Sequence, residues 1–367
     1  MESSTTRGRG RIGFAPWLLA LVFCVGPGCD GVVGGSGPAD PGDPADVEAP
    51  LEIATEIAAE IPATPVTPEA LAGAVDPTLW WEDVQFIAQP REPGSPHWQA
   101  VQDLCAERFE DLGYAVTRHE YATGINVIGI KEGLEAPDEW VVVSAHYDHH
   151  PGCPGADDNG AAVAGVLEIA RVFAPIRFDR SLVLACWDQE EIGLKGSGAW
   201  ATEQAEAGRE IVASLVLETM AYTCDEPGCQ KMPMGFEFIF PEQAEQFTSG
   251  DQSGDFIVFI ADWTSADSAA ALVEHSDALG LPSMHFEMSE DQMGSPILMD
   301  LFRSDHASFW FNDYPAIMIT DSANFRNPNY HCPDPEHMDT VETLDAAFAD
   351  KVFRATAYAA AVMAGVR

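Results

Sequence analysis

Three near-continuous apolar runs, each ending in residues that bind protons or cations, set the tightest limit on the fold. Trp140–Ala145 leads into His146-Tyr147-Asp148, Ser181–Trp187 into Asp188, Glu190 and Glu191, and Ile211–Leu217 into Glu218. Runs rich in β-branched residues, without polar alternation, read as strands covered on both faces. Gly160–Phe173, between the first two, reads as a helix, so strand, helix and strand follow one another as parallel crossover units do. Upstream, Trp98–Leu112 has helical spacing and stops at Gly113, while Tyr114–Tyr121 and Ile125–Ile130 read as strands. Pro315–Thr320 reads as a late strand and Val341–Val366 as a closing helix. The expected fold is α/β, a three-layer α/β/α sandwich with a mixed, mostly parallel central sheet. Ligands of such sheets bind beyond the carboxyl ends of the strands, where residues distant in sequence converge.

With 367 residues, 46% of them hydrophobic, the chain can build a large core as a single unit. Its 59 acidic residues against 18 Lys and Arg give a formal net charge of -41, which argues against nucleic acid as a partner. Such acidity reads as a solvated surface suited to an exported protein and to salty surroundings. Arg7, Arg9 and Arg11 precede the apolar run Phe14–Val25, too short for a typical membrane span and right for a signal peptide. The expected division is a signal peptide over 1–29, a Gly/Pro/Ala/Asp-rich linker over 30–68 and a catalytic domain over 69–367. Cys29 stands where a bacterial lipoprotein anchor would, although Gly26-Pro27-Gly28 departs from the usual small-residue pattern; lipid attachment at the cell envelope and secretion after cleavage both remain open. Cys224 and Cys229 flank Asp225-Glu226-Pro227-Gly228, a turn that favours a disulfide between them. No Cys-x-x-Cys spacing points to a thiolate zinc site.

The acids and histidines suggest a metal centre. In extended backbone His146 and Asp148 face the same way, which suits a ligand and the carboxylate that orients it, or simply a hydrogen-bonded pair. Within Asp157-Asp158-Asn159-Gly160, one residue can cap the following helix. Two acids in tandem also suit a carboxylate that bridges paired cations, and Asp158 is the expected bridge. Glu190 and Glu191 repel each other unless cations or solvent intervene; one can bind metal while the other takes a proton from water. Ser304-Asp305-His306 reads as a helix start with His306 lining the pocket, outside the metal set. His149, His150 and His337 lack motif support and read as surface residues.

Taken in order, the segments Pro151-Gly152-Cys153-Pro154-Gly155-Ala156-Asp157-Asp158-Asn159-Gly160, Glu190-Glu191-Ile192-Gly193-Leu194-Lys195-Gly196-Ser197, Ser304-Asp305-His306 and Tyr330-His331 carry a resemblance. Over Trp81 to Leu344 the chain resembles the co-catalytic zinc aminopeptidases, a family that includes secreted bacterial leucyl aminopeptidases, glutamate carboxypeptidase II and glutaminyl cyclases. The resemblance implies that His146, Asp158 and Glu218 bind one Zn(2+) and that Asp158, Glu191 and His331 bind a second. It further implies that Glu190 is the general base, Asp148 the orienter of His146, Tyr330 an oxyanion donor, and the Asp158-Asn159 peptide cis. Two departures stand out: Glu218 lies where many relatives have Asp, which puts metal spacing in question, and Cys332 lies where Thr is frequent. The implied protein is an exported zinc-dependent exopeptidase that removes amino-terminal residues from peptides with a metal-activated water. Carboxypeptidase action, glutaminyl cyclase chemistry and a non-catalytic peptide-binding role are the alternatives. Thr223–Glu242 and Met284–Asp300 read as insertions over the site that set side-chain preference.

Overall fold

Eight strands form one sheet: β1 (Ala115–Glu120), β2 (Ile125–Lys131), β3 (Ala136–His146), β4 (Arg180–Trp187), β5 (Glu210–Glu218), β6 (Ile257–Asp262), β7 (Ser283–Met288) and β8 (Ile317–Thr320). The computed structural model describes residues 65–367, so the expected signal peptide, its Cys29 and the linker up to residue 64 lie outside the described residues. Among the described residues no helix is long and apolar enough to cross a membrane. The strand order is β1-β2-β4-β3-β5-β8-β6-β7. Strands β4, β3, β5 and β8 run parallel; β2 is antiparallel to β1 and β4, and β6 is antiparallel to β8 while parallel to β7.

The apolar runs occupy the middle because both of their faces find cover. Val141, Val143 and Ala145 of β3, Leu182, Leu184 and Cys186 of β4, and Leu215 and Leu217 of β5 share one buried cluster. The alternate residues Trp140, Val142, Val183, Ala185, Trp187 and Val216 share another. Helices α1 (Pro68–Gly73), α2 (Pro77–Ile87), α3 (Pro96–Asp111) and α4 (Ala161–Phe173) contribute to the first cluster. Helix α5 (Lys195–Glu206) and the short α6 (Phe236–Ile239) belong to the second, and α7 (Pro241–Ser249) follows α6. The chain then returns to the first face with α8 (Ala266–Leu279), to the second with α9 (His306–Trp310), and to the first with α10 (Ala346–Ala364). The result is the three-layer α/β/α sandwich with a mixed, mostly parallel sheet.

Helix α1 begins at Pro68, where Thr67 Oγ1 accepts the N–H of Ala70. One reading needs correction. Of the expected insertion at Met284–Asp300, the first part is β7, an edge strand of the sheet itself. Its Met284, Phe286 and Met288 turn inward while Ser283, His285 and Glu287 are more exposed, the period-two pattern of a half-buried strand.

Candidate metal centre

The parallel strands deliver the acids and imidazoles to one place. β3 ends on His146 and β5 on Glu218, and the turn after β4, with Gln189 at φ 58°, presents Glu190 and Glu191. Asp158 lies in the wide turn Ala156–Gly160 that opens into α4, and His331 lies in the connection from β8 to α10. His146 Nε2 stands 3.3 Å from Asp158 Oδ1 and 3.3 Å from Glu218 Oε2. On the other side of the same carboxylate, Asp158 Oδ2 is 3.1 Å from His331 Nε2, which is 3.2 Å from Glu191 Oε2. Glu190 Oε2 is 4.0 Å from His146 Nε2. The Asp158-Asn159 peptide is cis.

Burial makes this arrangement demanding. Both carboxylate oxygens of Asp158, Nε2 of His146 and Nε2 of His331 are buried without a conventional hydrogen-bond partner. Buried polar groups are rarely left this way, and convergent orphaned lone pairs are what a cation satisfies. The donor set, imidazole nitrogen and carboxylate oxygen, suits zinc and similar divalent ions. One atom each from His146, Asp158 and Glu218 lies within 4.8 Å of the others, and the same holds for His149, Asp158 and Glu191 and for His150, Glu191 and His331.

The charges sort the residues. Burial opposes the charged ring of His146, yet the surrounding carboxylates, Glu190 foremost, raise its proton affinity well above the usual value. His331 is likewise opposed by burial but is held at about 10 by Asp158 and Glu191. Burial pushes Glu190 and Glu218 upward as acids. Glu191 goes the other way: burial is outweighed by His149, His150 and His331, and it stays well below the ordinary carboxylate range.

A shell of backbone contacts holds the loops that carry the candidate ligands. Asp148 Oδ1 accepts the Glu190 N–H at 2.9 Å and Oδ2 the Glu191 N–H at 3.3 Å. His146 Nδ1 lies 3.2 Å from the Asp148 carbonyl and 3.6 Å from its carboxylate, so Asp148 touches both the imidazole and the acid pair. Neither Asp157 nor Asn159 caps α4. Asp157 Oδ1 accepts the N–H groups of Met220 and Ala221, and Asn159 bridges Leu217 O and the Thr219 N–H, so both pin the end of β5. Arg91, fully buried, donates to the carbonyls of Tyr147, Pro154, Gly155 and Asp158 and ties both ligand loops together. Ser304 Oγ donates to Glu218 Oε2 at 2.7 Å, which anchors that side chain.

Several sequence readings change. His149 is not a surface residue: it is buried, with Nδ1 2.6 Å from Glu191 Oε1, and His150 Nε2 stands 3.0 Å from Glu191 Oε2. His337 is at the surface, beside Asp334. His306 does not line the pocket; it is fully buried against Trp310, with Nε2 2.8 Å from Leu301 O. Asp305 makes no cap to α9 and is buried behind the site. Cys224 and Cys229 are bonded, as their flanking turn favoured, and Cys153 is bonded to Cys332. Tyr330 stacks on His331 with ring centres 3.8 Å apart, and its hydroxyl is 3.3 Å from Arg303 Nη2. From Glu218 and Tyr330 a pocket opens whose floor is Phe236, Phe256, Met284 and Phe286, with Arg303 in its wall.

A mixed sheet that gathers imidazoles and carboxylates on either side of one aspartate at its strand ends is the arrangement that the resemblance to co-catalytic zinc peptidases implies. Residues 126–252 match Peptidase family M28. It is 29% identical over 221 residues to the Uncharacterized protein YfbL of Escherichia coli (strain K12), covering 56% of this chain and 61% of that protein. Aminopeptidase YwaD of Bacillus subtilis (strain 168) is 40% identical over 86 residues, covering 23% of this chain and 19% of that one. The chain therefore spans less than two thirds of either curated relative. Among solved structures, the aminopeptidase from Aneurinibacillus sp. strain AM-1 superposes with a TM-score of 0.59 at 14% identity, covering 82% of this chain and 97% of that one, a likeness of fold.

Proposed function

We propose that the protein is an exported zinc-dependent aminopeptidase that hydrolyses amino-terminal residues from peptides. One observation carries the reading: the two oxygens of Asp158 face different partners, Oδ1 toward His146 and Oδ2 toward His331. That is the geometry of a bridging carboxylate. His146, Asp158 and Glu218 would hold one Zn(2+), and Asp158, Glu191 and His331 the other. Bound there, the ions supply Lewis acidity that polarises a scissile carbonyl and makes water easier to deprotonate.

The chain's own residues do the rest. Glu190, buried and raised in proton affinity, takes a proton from water on its carboxylate and returns it to the leaving amine nitrogen. Asp148 keeps that turn and the His146 ring in register. Burial holds the Tyr330 phenol in its neutral form, so its O–H is available to the carbonyl oxygen as negative charge grows there. The surrounding carboxylates receive the substrate's ammonium group. A second reading, carboxypeptidase action, is favoured by Arg303, a guanidinium beside Glu218 and Tyr330 that suits a substrate carboxylate.

The test is a panel of amino-acyl amides, amino-blocked peptides and peptides with amino-terminal Gln, each with and without a chelator, together with zinc counting. Hydrolysis only from a free amino end, abolished by chelation, with about two zinc ions per chain, is the expected result. Trimming of amino-blocked peptides from the carboxyl end overturns the direction of attack, and cyclisation of the Gln peptides with one zinc overturns the hydrolytic reading. Export, and lipid attachment at Cys29, are checked by the mass and amino-terminal residue of the mature protein.

A further inference from the structure

His331 is the least supported of the ligands that surround Asp158. The other positions follow from a strand end or from a turn that leads into a helix, whereas His331 sits in the connection between Thr320 and Ala346, which holds only two short helical turns, Ala323–Phe325 and Val341–Thr343. Among the described residues the carboxylates of Asp158 and Glu191 face its ring nitrogen, and Tyr330 and His150 pack on the ring with centres 3.8 and 4.0 Å away. Its backbone is also unfavourable. His331 at φ 61° and Cys332 at φ 49° both occupy the left-handed region that residues with side chains rarely adopt. A local turn, closed by the Cys332 N–H on the Asn329 carbonyl at 2.9 Å, shapes this pair, and contacts from elsewhere in the chain fix it in place.

Two links do so, and both lead to the other ligand loop. The Cys153–Cys332 disulfide joins the residue after His331 to the segment that runs from His149 and His150 to Asp158. Cys153 is buried, and its N–H lies 3.3 Å from the His150 carbonyl, so the bond is rooted in structure rather than in a free loop. Further along, the Asp339 carboxylate accepts the N–H groups of Asp157 and Asp158 at 2.9 and 3.0 Å, and the Asp339 N–H points to Cys332 Sγ at 3.2 Å. The two links clasp the His331 loop to the Asp158 loop from either end.

We propose that Cys153 and Cys332 are positioning residues for the second metal: their disulfide holds His331 against Asp158 and Glu191, and the His331 side of the pair depends on it while the His146 side does not. The inference rests on the metal-centre reading above. His146 and Glu218 are fixed by strands β3 and β5 and by Ser304 and Asp148, none of which passes through the disulfide. Groups that orient a ligand typically change metal affinity by about 10- to 100-fold when removed, so loosening His331 has a selective signature.

The experiment compares zinc binding by the full chain, by Cys153→Ser with Cys332→Ser, and by Cys224→Ser with Cys229→Ser as a control. Zinc titration calorimetry is read alongside circular dichroism. The expected result is two ions in the parent and the control. In the first double variant one ion binds as in the parent, the other at least about 10-fold more weakly, and the spectrum is unchanged. To avoid dependence on folding without the bond, the folded control variant is also treated with a phosphine and then iodoacetamide. Two electrons and two protons convert the disulfide to two thiols, the phosphine becomes its oxide with oxygen from water, and each thiolate displaces iodide. Mass mapping of Cys153 and Cys332 confirms the lesion, and the same selective weakening is expected. Two ions held with parental affinity in either preparation overturn the proposal, and equal weakening of both marks a general structural bond and overturns it as well. A parent that binds no zinc overturns this inference together with the metal-centre reading, which separates the two failures.

Discussion

Glu190 and Glu191 are neighbours in the chain with opposite electrostatic fates. Burial raises the first as an acid, while imidazoles on three sides keep the second ionised despite burial. A proton carrier must hold and release a proton near neutral pH, and a ligand must stay charged, so the split matches the two roles. Glu190→Gln is expected to leave zinc content unchanged and to lower kcat by about 10²- to 10⁴-fold with little change in KM; turnover at the parental rate would remove Glu190 from the mechanism. Asp158→Ala should release both ions together, measured as metal content after dialysis, because one carboxylate serves both sides. The acids and His331 are legible in sequence because each stands in a short motif after an apolar run or a turn. Arg91, His149 and Asp339 are not. Arg91 follows α2 and Asp339 precedes α10, and both reach the site only through the folded packing. His149 lies buried against Gly155, where a Cβ, at φ 59°, would come 2.4 Å from the imidazole.

At the scale of elements, β3, β4 and β5 were readable as two-faced apolar runs ending in a candidate ligand, and β1, β2 and β8 were readable without one, whereas β6 and β7 were not. Strand β6, with Ile257, Phe259 and Ala261 on one face and Val258 and Ile260 on the other, carries the same apolar signal as β5, but no ligand follows it. Strand β7 ends in a segment of turns, so its period-two pattern merges with that of a loop. What the sequence does not display at all is how tightly the helices over the first face approach. A Cβ added at Gly165 in α4 would lie 2.0 Å from Phe353 Cε1 in α10, with two further ring atoms within 2.8 Å. Phe353 is buried and cannot swing away, so the glycine sets the distance between these helices. Gly165→Ala gains about 0.5–1 kcal/mol of helix preference, yet overpacking a core typically costs about 1–3 kcal/mol, and net destabilisation is expected in urea unfolding. Combined with Phe353→Leu, which makes room, the loss should be smaller than the sum of the two single changes. Strict additivity would mean that the ring does not set the spacing.

For the molecule as a whole, pH and salt act through different groups. Burial raises Asp83 to about 6, above the 3.8 of an exposed aspartate, even with Arg108 beside it, so the folded chain binds that proton first and gains stability as pH falls from 6 toward 4. His306 has the opposite sign: burial lowers it to about 4 from 6.5, so the unfolded chain binds that proton first and stability is lost over the same window. His306→Gln, with parent and variant compared by thermal melting at pH 6.5 and 4.5, should lose less on acidification than the parent; an equal loss would mean that the imidazole is already charged in the fold. Salt acts chiefly through the net charge. With 59 acidic residues against 18 basic ones, folding draws like charges together, and their repulsion is long-ranged at low ionic strength. Raising sodium chloride from about 0.01 M to about 0.15 M shortens the screening length from about 30 Å to about 8 Å, which weakens distant repulsion far more than the contact pairs such as Arg91 with its carbonyls or Glu191 with its imidazoles. The melting temperature should therefore climb with salt at pH 7, and potassium chloride should act as sodium chloride does, since screening depends on charge and concentration. A melting temperature that falls with salt would mean that surface ion pairs, which screening also weakens, outweigh the net repulsion of the acidic surface.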